Sequence, residues 1–251
     1  MLRNIDRAMR LQELDSQQVR ELQQELGGLV VDGVMGPRTE ARWKEWKKAN
    51  NQAEPDLIGP GSVRLLLSAE EVMTRGEYDL ALAPASKRDR DRYYRPLMAA
   101  MEECNIKGPA RMAMFLAQLM HESGNLRYDE EIWGPTPIQR GYEGRRDLGN
   151  IKVGDGRRFR GRSLLQLTGR ANYQNMGNML GLPLVDNPEL AKEPFNSARI
   201  AAHYWRTRGL NEIADKNDIN AFKQVTRRIN GGLIGLSDRL EHWKRIQAVL
   251  T

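Results

Sequence analysis

Apolar positions recur with helical spacing along most of the 251-residue chain. Val19, Leu22, Gln23 and Leu26 share one face, and Gly27-Gly28 closes that segment. The dipeptides Asp32-Gly33 and Gly36-Pro37 mark turns, and Thr39 stands where it can cap a following helix that carries Trp43 and Trp46. Farther on, Tyr94, Leu97, Met98 and Met101 form one stripe. A break over residues 104–110, with Pro109 suited to the first turn of a new helix, separates it from a second stripe, Met112, Phe115, Leu116 and Leu119. Further helices are predicted over 189–207, 218–229 and 236–249. No sustained alternation of β-branched residues interrupts this pattern, so the predicted fold class is mostly α. A small three-helix domain precedes a larger α-helical one.

The small domain contains an internal echo. "LIGPGSVRLLL" (57–67) follows the plan of "VMGPRTEARW" (34–43): two apolar residues, Gly-Pro, a Ser or Thr, then a helix. Residues 69–90 are polar, with a Pro among small residues, and read as a connector. The predicted division is 1–70 for the first domain, 71–88 for a linker and 89–251 for the second domain. The length suits one large domain or a medium and a small one.

Composition narrows the chemistry. No apolar run reaches the roughly 18 residues of a membrane span, so no membrane insertion is expected. The first twenty residues are charged throughout and lack the apolar core of a secretory signal; synthesis in a cytoplasm is the expectation. Cys104 is the only cysteine, which excludes an internal disulfide, and the three histidines, His121, His203 and His242, are widely spaced. No metal or cofactor is expected. The net charge of +6 is unevenly placed. Residues 1–68 hold ten basic and ten acidic residues, whereas residues 140–170 hold nine basic and three acidic. That stretch reads either as a basic surface for an anionic partner or as a solvated Arg-rich loop. Nucleic acid is not expected, because no nucleic-acid motif is present and aromatics are not interleaved with the basic residues.

One carboxylate stands out. Glu122 lies three residues after Leu119 and seven after Phe115, so it continues the second stripe, and Gly124 places it at a helix C-terminus. Desolvation and the negative end of the helix would hold such a carboxyl protonated, as a general acid requires. An exposed Glu at a frayed helix end fits the same spacing. Asp129, Glu130 and Glu131 follow and offer the second carboxylate that glycoside hydrolysis uses. In "GDGRRFRGRSLLQLTGRANYQNMG" (154–177), glycines allow close backbone approach, and Gln166, Thr168, Asn172 and Tyr173 offer neutral hydrogen bonding suited to sugars. Neither phosphate-loop motif is present.

Residues 10–68 resemble the peptidoglycan-binding domain 1 family. The resemblance rests on "VRELQQELG" followed by "VDGVMGPRTEARWKEW", which carries the family's D-G-x-x-G-P-x-T core at Asp32, Gly33, Gly36, Pro37 and Thr39. It implies a wall-binding module. Residues 90–250 resemble glycoside hydrolase family 19, on "FLAQLMHESGNLRYDEE", "RFRGRSLLQLTGRANY" and "INGGLIGLSDRL". This second resemblance implies a lysozyme-like catalytic domain with Glu122 as general acid, Glu131 as base and Thr168 positioning water. It also implies His121, Gln166, Asn172, Tyr173, Asn230 and Arg239 as substrate-binding residues. The chain departs from the family at "GRSLLQ", where Gly-Pro or Gly-Leu usually follows the Arg. Together the two resemblances imply a modular bacteriophage endolysin. It would be monomeric and cofactor-free, made in the host cytoplasm and acting later in the periplasm and wall on β-1,4 bonds of peptidoglycan, with inversion. A chitinase and a non-catalytic wall-binding protein are the alternatives.

Overall fold

The structure, a computed structural model, describes residues 1–49, 52–67 and 72–250. The chain divides into two units, Met1–Glu71 and Val72–Thr251. Residues 68–71, on which the expected boundary near residue 70 falls, lie outside the described residues.

In the first unit, helices α1 (Ser16–Leu26), α2 (Pro37–Ala49) and α3 (Pro60–Leu67) accompany an antiparallel pair, β1 (Met9–Arg10) and β2 (Leu57–Ile58). Asp15 caps α1 by accepting from Gln18 N, while the Gln18 side chain accepts from Asp15 N. Leu11, Leu22, Trp43 and Ile58 are buried at its centre. Both Gly-Pro turns of the internal echo start a helix at the proline, where the missing N–H costs nothing. Thr39 does not cap α2 as expected. It lies inside the first turn, buried, and its hydroxyl accepts from Gln23 Nε2 at 3.2 Å. Gln23 is the hub of this loop: its Nε2 also donates to Asp32 Oδ1 at 2.8 Å, and its Oε1 accepts from Gly33 N at 3.0 Å. Gly33 has φ +76°, and a Cβ there would stand 2.5 Å from Ser16 Oγ. The D-G-x-x-G-P-x-T residues thus hold the α1–α2 loop onto α1.

The second unit begins earlier than the sequence suggests. Residues 71–88, expected as a linker, contain helix α4 (Arg75–Ala81), opened by a Thr74–Glu77 capping box. Tyr78, Ala81 and Leu82 are buried in the core of this unit. Their i, i+3, i+4 spacing is overlaid by charged neighbours, and Arg75 and Arg90 both pair with Asp79, so the segment reads as polar although one face is core.

Two helix pairs build the scaffold. Helix α5 (Lys87–Glu103) packs on a later helix, Pro194–Thr207, and α6 (Pro109–Glu122) packs on a C-terminal one, Leu236–Leu250. Every residue of α6 from Met112 to Met120 is buried, so α6 is the central helix. Between them run α7 (Pro137–Arg140), α8 (Asp155–Arg158) and α9 (Arg170–Leu180). The Pro194–Thr207 helix is α10; α11 (Leu210–Ala214), α12 (Ile219–Asn230) and α13 (Leu236–Leu250) complete the unit. The helix predicted over 189–207 is broken: a 3-10 turn, Pro188–Lys192, precedes α10, and Glu193 is extended because Pro194 follows it. The mostly α class holds.

Candidate active site

Glu122 is the last residue of α6. The chain then reverses through Gly124, Asn125 and Leu126, all with positive φ (56°, 63° and 64°). Gly and Asn accept this conformation readily, and Leu126 is held in it by full burial. Ser123 knots the reversal: its hydroxyl donates to Leu119 O at 2.7 Å and accepts from Leu126 N at 2.8 Å. The "HESGN" sequence is therefore a helix stop that fixes Glu122 at the edge of the core.

The apolar surround expected for Glu122 is only half present. The buried stripe ends at Met120, and the Glu122 side chain is 22% exposed. Its Oε1 accepts from Arg239 Nη2 at 2.5 Å, so it stands in an ion pair and not in an apolar pocket. Arg239 comes from α13 and is itself buried, with Nη1 donating to Gln118 Oε1 at 2.6 Å and Nε to Ile234 O at 3.2 Å. Arg239 was expected to hold sugar; it is buried, and its guanidinium is spent on Glu122, Gln118 and Ile234 O. His121 turns its Nδ1 to Asp238 Oδ2 at 2.6 Å, and this hydrogen bond holds the Asp238 carboxyl below its usual range. Gly235, at φ +69°, lies under the His121 ring; a Cβ there would stand 2.2 Å from Cε1. Asn230 shapes the same turn, accepting from Gly232 N at 2.8 Å and donating to Ile234 O at 3.1 Å.

The second group is built on three short extended segments. Glu131 N donates to Gly161 O at 2.8 Å, Ser163 N to Asp129 O at 2.8 Å, and Arg162 and Leu167 exchange both backbone bonds. Side chains alternate across these segments. On one face, Glu131 Oε2 accepts from Gly161 N at 3.1 Å, and a Cβ on Gly161 would meet Gln166 Oε1 at 2.3 Å and Thr168 Oγ1 at 3.3 Å. On the other face, Glu130 pairs with Arg160, with Arg162 and with Lys192. Asp129 is held by Arg92 at 2.5 Å and by the Tyr93 hydroxyl at 3.0 Å. Of the three acids, Glu131 alone meets only neutral donors among the described residues: Gly161 N, Gln139 Nε2 at 2.9 Å and the Tyr142 hydroxyl at 3.4 Å. Burial and the Glu131 charge together raise the Tyr142 phenol.

The structure therefore gathers Glu131, Gln166 and Thr168 at Gly161, and separately His121, Glu122, Asn230 and Arg239 at the end of α6. Among the described residues no hydrogen bond joins the two groups; the reversal after α6 and the segment to Glu131 connect them. Asn172 is exposed on α9 and donates to Thr168 O at 2.7 Å. Tyr173 is not a sugar ligand. It is wholly buried, its hydroxyl donates to Arg160 O at 2.8 Å, and burial pushes its pKa up to about 12. In α9 it points about 100° round the helix from Asn172, toward Phe159. The sequence reading missed Gln139, Tyr142, Gly235 and Tyr204. Only Gly235, inside a quoted motif, carried a signal. Burial raises the Tyr204 phenol, and the nearby Glu122 charge adds to it.

The basic excess of residues 140–170 is partly spent. Arg145 pairs with Asp147, Arg170 with Asp155, and Arg160 and Arg162 with Glu130, outside the stretch.

No family model matches the chain. A glycosyl hydrolase family 19 domain-containing protein of Haemophilus influenzae is 31% identical over 180 residues, covering 61% of this chain and 86% of that protein. An Arabidopsis thaliana endochitinase is 33% identical over 124 residues, 48% of this chain and 39% of that protein. Chitinase C from Streptomyces griseus shares the fold, with a TM-score of 0.58 at 21% identity over 72% of this chain and 78% of that one. A bacterial family 19 chitinase does likewise, at TM-score 0.56 and 24% identity over 71% of this chain and 95% of that one. With the extent of the Haemophilus relationship, the chain belongs to glycoside hydrolase family 19.

Proposed function

We propose that this glycoside hydrolase cuts β-1,4 bonds of bacterial peptidoglycan as an endolysin, with the first unit holding the wall. The observation that carries the catalytic part is the contrast between Glu122, ion-paired to a buried arginine, and Glu131, held by neutral donors. Hydrolysis with inversion needs two separate carboxyl groups, one to protonate the leaving oxygen and one to activate water. Glu122 donates its proton to the glycosidic oxygen. As the bond breaks, Glu122 gains negative charge, and Arg239 is already in place to stabilise it. Glu131 takes a proton from water held with the Thr168 hydroxyl. Attack by water on the opposite face inverts the anomeric centre, a geometry that requires a carboxyl separation of roughly 6.5–9.5 Å.

The peptidoglycan substrate is supported by the D-G-x-x-G-P-x-T motif of the first unit. A chitinase is the second reading, favoured by the endochitinase names of the relatives. Purified bacterial walls and chitin oligosaccharides, offered in parallel, separate the two. New reducing ends from walls, seen by mass analysis with falling turbidity, support the first. Cleavage of chitin oligosaccharides without release from walls overturns it.

A further inference from the structure

Behind the strand that carries Gly161 lies an open cavity of about 460 Å³. Arg157, Arg158, Arg160 and Arg162 line it, facing the carboxylates Asp186 and Glu189. Four guanidinium groups thus meet two lining acids, and Arg160 and Arg162 are also paired with Glu130. Glu189 is already engaged, by Arg162 at 2.5 Å and by Lys192 at 2.6 Å. Arg158 spends its Nη2 on the carbonyls of Val185 and Asp186 at 2.9 and 2.8 Å, which leaves its charge uncompensated. The side chain of Arg157, exposed on α8, has no hydrogen bond or ion pair among the described residues. Arg162 is 1% exposed, so one wall of the cavity is fixed and not a mobile surface cation. Arg162 is fixed and its donors are spent, so the free fork beside this wall is that of exposed Arg157, which can hold a carboxylate by paired hydrogen bonds.

We propose that this cavity takes a carboxylate of the peptide stem that hangs from the wall glycan, and that Arg157 is its principal ligand. The inference rests on the peptidoglycan reading above. Arg160 and Arg162 alternate with Gly161, so the cavity and Glu131 occupy opposite faces of the same short strand. Neighbouring extended strands are about 5 Å apart. A stem of about four residues spans at most roughly 13–14 Å. Segment 161–163 is paired on both sides, whereas among the described residues 129–131 is paired with it on one side only, so a sugar placed against Glu131 can pass its stem over that outer edge toward the arginine face. The cavity would select cross-strand units that carry stems over bare glycan, a property a neutral sugar cleft cannot supply.

The test compares kcat/KM on soluble glycan strands that carry intact stems with the same strands after the stems are removed at the lactyl amide. Wild type should prefer the stem-bearing strands by about tenfold, the scale of one charge-assisted hydrogen bond. Arg157→Gln should bring the ratio near one, and Arg157→Lys should restore part of it. A second measurement uses wild type alone: free tetrapeptide stem should raise KM on stem-bearing strands and leave KM on stem-free strands unchanged. A wild-type ratio of one, an unchanged ratio in Arg157→Gln, or free stem that competes equally with both strands overturns the inference while leaving the peptidoglycan reading intact. Failure of wild type to cut either strand, with chitin oligosaccharides cut, overturns that reading and this inference with it.

Discussion

Gly235→Ala places a methyl group where the structure has a histidine ring. The ideal Cβ falls 2.2 Å from His121 Cε1 and 2.4 Å from Nε2, well inside van der Waals contact. The ring cannot simply swing aside, because Nδ1 is bonded to Asp238 at 2.6 Å. Two costs follow. A left-handed φ of +69° costs a non-glycine residue about 1–2 kcal/mol, and overpacking adds about 1–3 kcal/mol. The expected loss is about 2–5 kcal/mol. For a unit of this size, a loss near 3 kcal/mol lowers Tm by roughly 6–12 °C. Thermal unfolding of Gly235→Ala, His121→Ala and the double variant separates the terms. Removing the ring should relieve the steric part, so that the alanine at 235 then costs only the about 1–2 kcal/mol of backbone strain. If Gly235→Ala unfolds within 1–2 °C of wild type (about 0.5 kcal/mol), or if its cost is the same with and without the ring, His121 is not seated on this glycine as described.

Glu122→Gln should retain the folded state and lose about 10²–10⁴ in hydrolytic rate, measured as new reducing ends; wild-type rates would remove Glu122 from the acid role. Glu103 tests stability against pH. Burial pushes its carboxyl up, but hydrogen bonds from Arg199 and His203 outweigh that and hold it at about 2, down from 4.5. This depressed value contributes stability fully above pH 4.5, amounting to about 3 kcal/mol, which fades as pH falls toward 2. Glu103→Gln should therefore melt well below wild type at pH 7 and converge with it near pH 2, and parallel curves would exclude the linkage. A fragment starting at residue 72 should cut soluble glycan and clear whole walls less well than the full chain. One starting after Leu82 strips Tyr78, Ala81 and Leu82 from the core, and it should fail to fold cooperatively.

The helical stripes were legible because a buried helix face is a local property of spacing. Met112, Phe115, Leu116 and Leu119 needed no tertiary information, and all four are buried. The α4 segment was not legible, because Arg75, Asp79 and Arg90 form an ion cluster over Tyr78 and lower the mean hydropathy of a helix that is half core. Tyr173 misled for the opposite reason. A tyrosine beside Asn172 in a glycine-rich run reads as a sugar ligand, yet successive helical residues point about 100° apart, so one is exposed and the other reaches Phe159 and Arg160. The same limit applies to Arg239, whose partner Glu122 is 117 residues away and was not predictable from spacing.

Why Glu131 meets only neutral donors while Glu130 meets arginines is a matter of strand alternation. Adjacent residues on an extended segment face opposite sides, so two neighbouring glutamates cannot share an environment. The pairing of residues 129–131 with 161–163 then assigns the sides. Gly161 offers Glu131 a backbone N–H, and because it has no side chain the Gln166 and Thr168 oxygens can close in on the same face. Arg160 and Arg162 flank that glycine and necessarily project the other way, where they meet Glu130. A one-residue slip of this register would exchange the two carboxylates, giving Glu131 to the arginines and leaving Glu130 with the neutral donors. The Arg-Gly-Arg spacing thus does two things at once: its arginines anchor Glu130, and the gap between them leaves Glu131 to the neutral donors Gly161 N, Gln139 and Tyr142.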